Sequence, residues 1–197
     1  LKINLIKEVI KCMFNRGPDD NNWKVFNFGE NNFLSFIHTR LSILDISTKG
    51  RQPFFYKDSC IIFNGEIYNY LELRNELKAK GYKFSTNTDT EVLLAAYEEY
   101  GLDCVKHFEG MWAFAIFDKK TNKLFLSRDR FGEKPLYFYK DNKKFIFASD
   151  TRAISIMLKK RLEVNQSYIL NFLSSGFRSL FKKNETQFVN VLRVNPS

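Results

Sequence analysis

Met111-Trp112-Ala113-Phe114-Ala115-Ile116-Phe117 contains no polar side chain. A strand with one wet face alternates apolar and polar residues, whereas an unbroken apolar strand has both faces covered. This stretch therefore predicts a layered fold with a strand at its centre. Outward from it, Asp118-Lys119-Lys120-Thr121-Asn122 reads as a hairpin loop and 123–127 as the return strand. Residues 136–139 and 145–148 form a second hairpin around Asp141-Asn142, and 152–158 a short helix. Beyond Arg161 the pattern weakens.

Upstream, Thr88-Asp89-Thr90-Glu91 has the spacing of a capping box and opens a helix that Gly101 ends. Residues 70–80 form another helix, with Leu73 and Leu77 on one face and Gly81 as its stop. Cys60-Ile61-Ile62-Phe63 is a short apolar strand running into Asn64-Gly65, a dipeptide that favours turns. Residues 33–37 read as a strand. Leu5, Val9 and Met13, with Ile6, Ile10 and Phe14, mark a first helix that ends near Asn15, before the turn Arg16-Gly17-Pro18-Asp19-Asp20. Two antiparallel sheets flanked by helices satisfy this pattern, and so does one sheet with helices on both sides.

The chain has 197 residues, 44% of them apolar, enough for one domain with a sizeable core. The net charge of +9 comes from dispersed Lys and Arg, so a solvated basic surface is expected rather than a nucleic-acid interface. Cys12, Cys60 and Cys104 are odd in number and widely spaced, which suits free thiols in a reducing, cytoplasmic compartment. His38 and His107 are too few and too separated for a metal site. No apolar run is long enough for a membrane span. Leu1 begins inside a helical pattern without a preceding cap, and residues 192–197 stop without a terminal element, so the chain reads as a fragment truncated at both ends.

Three polar clusters carry candidate chemistry. Arg40, in Ile37-His38-Thr39-Arg40-Leu41-Ser42-Ile43, lies between apolar stretches. A planar guanidinium grips a carboxylate with two parallel bonds, although a structural ion pair is the commoner role for such an arginine. In Phe63-Asn64-Gly65-Glu66-Ile67-Tyr68-Asn69 the Asn64 amide and Gly65 N–H suit an oxyanion, and Glu66 suits an ammonium. The plainer alternative is a strand turning into a helix. Asp89 suits the positive end of a helix dipole, or again an ammonium. Together these residue types describe the recognition of an α-amino acid with a reactive carbonyl.

Ordered blocks sharpen this picture. Arg16-Gly17-Pro18-Asp19-Asp20, Arg40-Leu41-Ser42-Ile43-Leu44-Asp45, Gln52-Pro53, Phe63-Asn64-Gly65-Glu66-Ile67-Tyr68-Asn69, Thr88-Asp89-Thr90-Glu91, Phe108-Glu109-Gly110-Met111-Trp112-Ala113-Phe114-Ala115, Arg128-Asp129-Arg130-Phe131-Gly132-Glu133-Lys134-Pro135-Leu136-Tyr137 and Phe147-Ala148-Ser149 occur in sequence. The set resembles class II glutamine amidotransferase domains, in particular those of glutamine-hydrolysing asparagine synthetases. The resemblance implies the N-terminal-nucleophile hydrolase fold, an α+β four-layer αββα sandwich of two antiparallel sheets. It implies a glutamine amidotransferase domain over 1–160 and a connector over 161–197 leading to a C-terminal synthetase domain. It also implies that Arg40 holds the glutamine α-carboxylate, that Glu66 and Asp89 hold its α-ammonium, and that Asn64 and Gly65 form an oxyanion hole. Leu41, Ser42, Ile43 and Leu44 would line the pocket.

The chain departs from the family in lacking the opening Cys-Gly-Ile strand whose N-terminal cysteine is the nucleophile. None of its own cysteines matches that residue, and Asn15 stands where a His is common. The fragment is therefore expected to be inactive and to carry no cofactor, with ATP and Mg belonging to the missing synthetase domain. The intact protein is expected to make asparagine with ammonia from glutamine, and a homodimer is left open. Two alternatives stand beside this: a non-catalytic glutamine-binding module, and an amidotransferase acting on another carboxylate in surface-polysaccharide synthesis.

Overall fold

The computed structural model of the chain describes residues 3–30, 32–44, 47–176 and 184–197. Leu1, Asp45 and positions 177–183 of the expected connector lie outside them. Helix α1 (Ile3–Met13) leads through a 3-10 turn into strands β1 (Asp20–Asn27) and β2 (Phe33–Arg40), an antiparallel pair. Strands β3 (Phe54–Tyr56) and β4 (Ser59–Ile67) are followed by helices α2 (Tyr70–Ala79) and α3 (Asp89–Tyr100). Strand β5 (Gly110–Asp118) and β6 (Lys123–Arg128) complete a four-stranded antiparallel sheet in the order β3-β4-β5-β6. Strands β7 (Tyr137–Lys140) and β8 (Phe145–Ala148), helices α4 (Thr151–Leu158) and α5 (Gln166–Ser175), and strand β9 (Val191–Arg193) follow, with sheet order β8-β7-β9.

The side chains of β5 explain the layers. Trp112, Phe114 and Ile116 join Leu73, Leu77 and the buried face of α3 in one core. Ala115 and Phe117 point the other way and pack with Phe36 of β2 and Phe147 of β8 in a second. Tyr139, Ile154 and Val191 build a third between the outer strands and α4. The order is thus α2/α3, the four-stranded sheet, a second layer made from β1-β2 and β8-β7-β9, and α1/α4. An apolar strand covered on both faces is what this arrangement requires. Among the described residues β2 and β8 each pair along one edge only, and their other edges border the same cavity.

Two local expectations are corrected. Asn64-Gly65 is not a turn: both residues lie inside β4, opposite Ala113 and Trp112 of β5. Pairing along a long central ladder overrides the local preference of the dipeptide. A Cβ on Gly65 would collide with the Met111 carbonyl oxygen and come within 2.8 Å of Trp112 Cα, so glycine is there for close approach. The capping box forms on one side only. Thr88 Oγ1 accepts the Glu91 N–H at 3.3 Å, but the Glu91 carboxylate instead takes the backbone N–H groups of Ser85 and Thr86.

Candidate active site

Alternation along β4 aims the site. Phe63 and Ile67 point to the helix side, so Asn64 and Glu66 share the opposite, inter-sheet face with Ile62. Backbone direction is set by the neighbouring strand. Trp112, opposite Gly65, has its N–H and carbonyl committed to Asp129. Gly65 and Trp112 therefore form a pair without mutual hydrogen bonds, and the Gly65 N–H leaves on the edge of β4 away from β5. On that edge side chains take over from a strand partner. Gln52 Oε1 accepts Phe63 N–H at 2.6 Å, His38 Nε2 bonds the Phe63 carbonyl at 3.2 Å, and Asp89 Oδ2 accepts Ile67 N–H at 3.0 Å.

Arg40 ends β2 and is 9% exposed. Its Nη1 donates to the Ser47 carbonyl at 2.9 Å. Gly50 leaves room for it: a Cβ there would lie 2.5 Å from Nη2. The Arg16–Asp20 block shapes the segment that follows. Asp19 N–H donates to the Arg40 carbonyl at 3.0 Å, and Asp19 Oδ2 accepts the Ser42 N–H at 2.7 Å.

Arg40, Asn64, Gly65, Glu66 and Asp89 border one cavity of about 720 Å³, within the range of small-molecule sites. Leu41, Ile43 and Leu44 line it too and are largely exposed, whereas Ser42 does not line it. Asp89 is 6% exposed in the first turn of α3. Burial pushes its carboxyl up to about 6, and the Glu66 charge pushes in the same direction against the Ile67 and Thr90 N–H bonds. The wall of this one cavity thus carries two carboxylate acceptors, Glu66 and Asp89, and one guanidinium donor, Arg40.

The buried thiols of Cys60 and Cys104 are pushed up to about 12, and burial raises that of Cys12 as well, so none is a ready thiolate. Among the described residues no group of three or more His, Cys, Asp or Glu gathers to hold a metal, and no helix is long and apolar enough to cross a membrane. The sequence did not single out Gln52 or His38 as parts of the site. Gln52 stood in the Gln52-Pro53 block and His38 beside Arg40, and their partners lie 11 and 25 positions away in the chain.

Residues 2–197 match the family described as glutamine amidotransferase domain, and the chain belongs to that family. It is 41% identical over 190 residues to a putative glutamine-hydrolysing asparagine synthetase 2 of Methanocaldococcus jannaschii, a match covering 87% of this chain and 36% of the relative. It is 40% identical over 175 residues to glutamine-hydrolysing asparagine synthetase 1 of Bacillus subtilis, covering 88% of this chain and 27% of the relative. The chain thus spans about a third of the length of these relatives. Among solved structures, glutamine phosphoribosylpyrophosphate amidotransferase of B. subtilis aligns with a TM-score of 0.54 at 22% identity, over 62% of this chain and 29% of that one. That likeness carries the fold, an α+β sandwich of antiparallel sheets flanked by helices.

Proposed function

We propose that this domain is the glutaminase half of an asparagine synthetase, supplying ammonia for the ATP-dependent amidation of aspartate by a synthetase domain reached through residues 161–197. The observation that carries the proposal is the convergence of Arg40, Glu66 and Asp89 with Asn64 and Gly65 on one cavity. Arg40 takes the α-carboxylate of glutamine, while Glu66 and ionised Asp89 take its α-ammonium. The side chain then runs toward the Asn64 amide and the Gly65 N–H.

In this scheme a thiolate adds to the carboxamide carbon, and the charge that develops on its oxygen is met by those two donors. The amide nitrogen takes a proton and leaves as ammonia. Water then hydrolyses the thioester to glutamate. The nucleophile is the family's N-terminal cysteine, not Cys12, Cys60 or Cys104. A strand carrying it would pair along the open edges of β2 and β8 and so reach the Asn64–Gly65 end of the cavity. ATP and Mg act in the synthetase domain.

Calorimetric titration with L-glutamine tests the proposal. One-to-one binding that weakens in both Arg40→Lys and Asp89→Asn, without ammonia release by this chain, is the expected result. No binding, or binding indifferent to both substitutions, would sink it.

A further inference from the structure

His38 is a half-buried titratable group on the cavity wall to which the glutaminase scheme gives no task. It lies on β2 two residues before Arg40, on the same face, and borders the cavity. Its Nε2 is 3.2 Å from the Phe63 carbonyl oxygen. A carbonyl oxygen can only accept, so Nε2 carries the proton in that bond. Nδ1 is buried and has no hydrogen-bond partner. The neutral Nε2–H ring leaves only a lone pair at Nδ1, whereas a protonated ring would strand a donor there. Burial accordingly pulls the ring pKa down to about 4. The Phe63 bond opposes that shift, and the Arg40 charge adds to it.

Phe63 is held by side chains at both of its backbone polar groups, by Gln52 at N–H and by His38 at the carbonyl. The next residue to present its backbone on this edge is Gly65. The Phe63–Asn64 and Asn64–Gly65 peptides meet at Asn64, so the placement of the first bears on the second, and Gly65 borders the cavity. We infer that His38 is a positioning residue of the glutamine site: its neutral Nε2–H fixes the Phe63 carbonyl and so aims the Gly65 N–H at the side-chain carbonyl of the bound amino acid. This rests on the glutaminase proposal above.

The test compares two variants in the whole chain. His38→Gln keeps an N–H donor of similar reach, and His38→Phe keeps a ring without one. Binding of L-glutamine is measured against L-norvaline, which has the same carboxylate and ammonium but no carbonyl on its side chain. The parent and His38→Gln should prefer glutamine. His38→Phe should lose about tenfold of that preference, the weight of one aimed hydrogen bond, with norvaline affinity held. Equal weakening of both ligands would show a packing role and overturn the inference.

A second readout needs no ligand. Long-range ¹H–¹⁵N spectra of histidine-labelled protein should show the Nε2–H tautomer, and the Gly65 amide resonance should move in His38→Phe and return in His38→Gln. An Nδ1–H tautomer, or a Gly65 resonance indifferent to His38→Phe, overturns the inference whether or not glutamine binds. Failure of the parent to bind either amino acid overturns the glutaminase proposal instead, and the spectra then decide the role of His38.

Discussion

The Asp89 carboxylate accepts the backbone N–H of Ile67 at 3.0 Å, joining the first turn of α3 to the end of β4. One buried group therefore closes a strand end, faces a helix dipole and lies beside Glu66.

The raised pKa of Asp89 has a definite sign. The folded chain holds this proton more tightly than the unfolded chain, so the stability Asp89 contributes is full below about pH 4 and is lost as pH rises through about 6. The ionised form at pH 7 costs on the order of 3 kcal/mol. Asp89→Asn should make the free chain more stable at pH 7 by up to that amount, with no gain at pH 4, as urea unfolding at both values will show. Glutamine affinity of the parent should rise through pH 6 as the carboxylate ionises.

Arg40→Lys keeps the charge and removes the planar fork. Glutamine affinity should fall by about tenfold or more in calorimetry. Loss of the bond to the Ser47 carbonyl adds a stability cost of about 1 kcal/mol.

Gly65→Ala drives a methyl into the Met111 carbonyl. Strands β4 and β5 must separate locally, at a cost of about 2–3 kcal/mol in chemical denaturation. The same shift turns the Gly65 N–H away, so glutamine binding should be lost even where the variant remains folded.

Asp129 is 1% exposed and accepts four backbone N–H groups, from Trp112, Phe131, Glu133 and Lys134. Burial raises its pKa, but these bonds outweigh it and hold the carboxyl below the ordinary range. Its contribution is present above the ordinary carboxylate pKa and is lost as pH falls through the lowered value. Asp129→Asn should destabilise the chain by about 3 kcal/mol at pH 7, with the difference shrinking in acid. Thermal melts across pH measure it.

The central strand was legible because burial on both faces leaves no room for a polar residue between 111 and 117. Strand 145–148 was legible with its bounds. Arg40, Glu66 and Asp89 were legible as strong donors and acceptors, and the structure sets all three on one cavity. What the sequence concealed was non-local. β1 was missed because Asp20–Asn27 is largely exposed and shows no clean alternation. β9 was missed because three residues carry little pattern and owe their strand form to pairing with β7. Gln52 and His38 act through partners on other strands, and no spacing rule encodes that.

No main-chain ladder joins β2 to β8 among the described residues. Their flanks are stitched by contacts such as the Phe36 and Phe147 rings, 6.0 Å apart, and by the packing of α1 on α4. Mechanically this is a seam. Among the described residues side-chain packing alone holds the two flanks together, so a strand laid between them would join the two halves of this layer through its backbone.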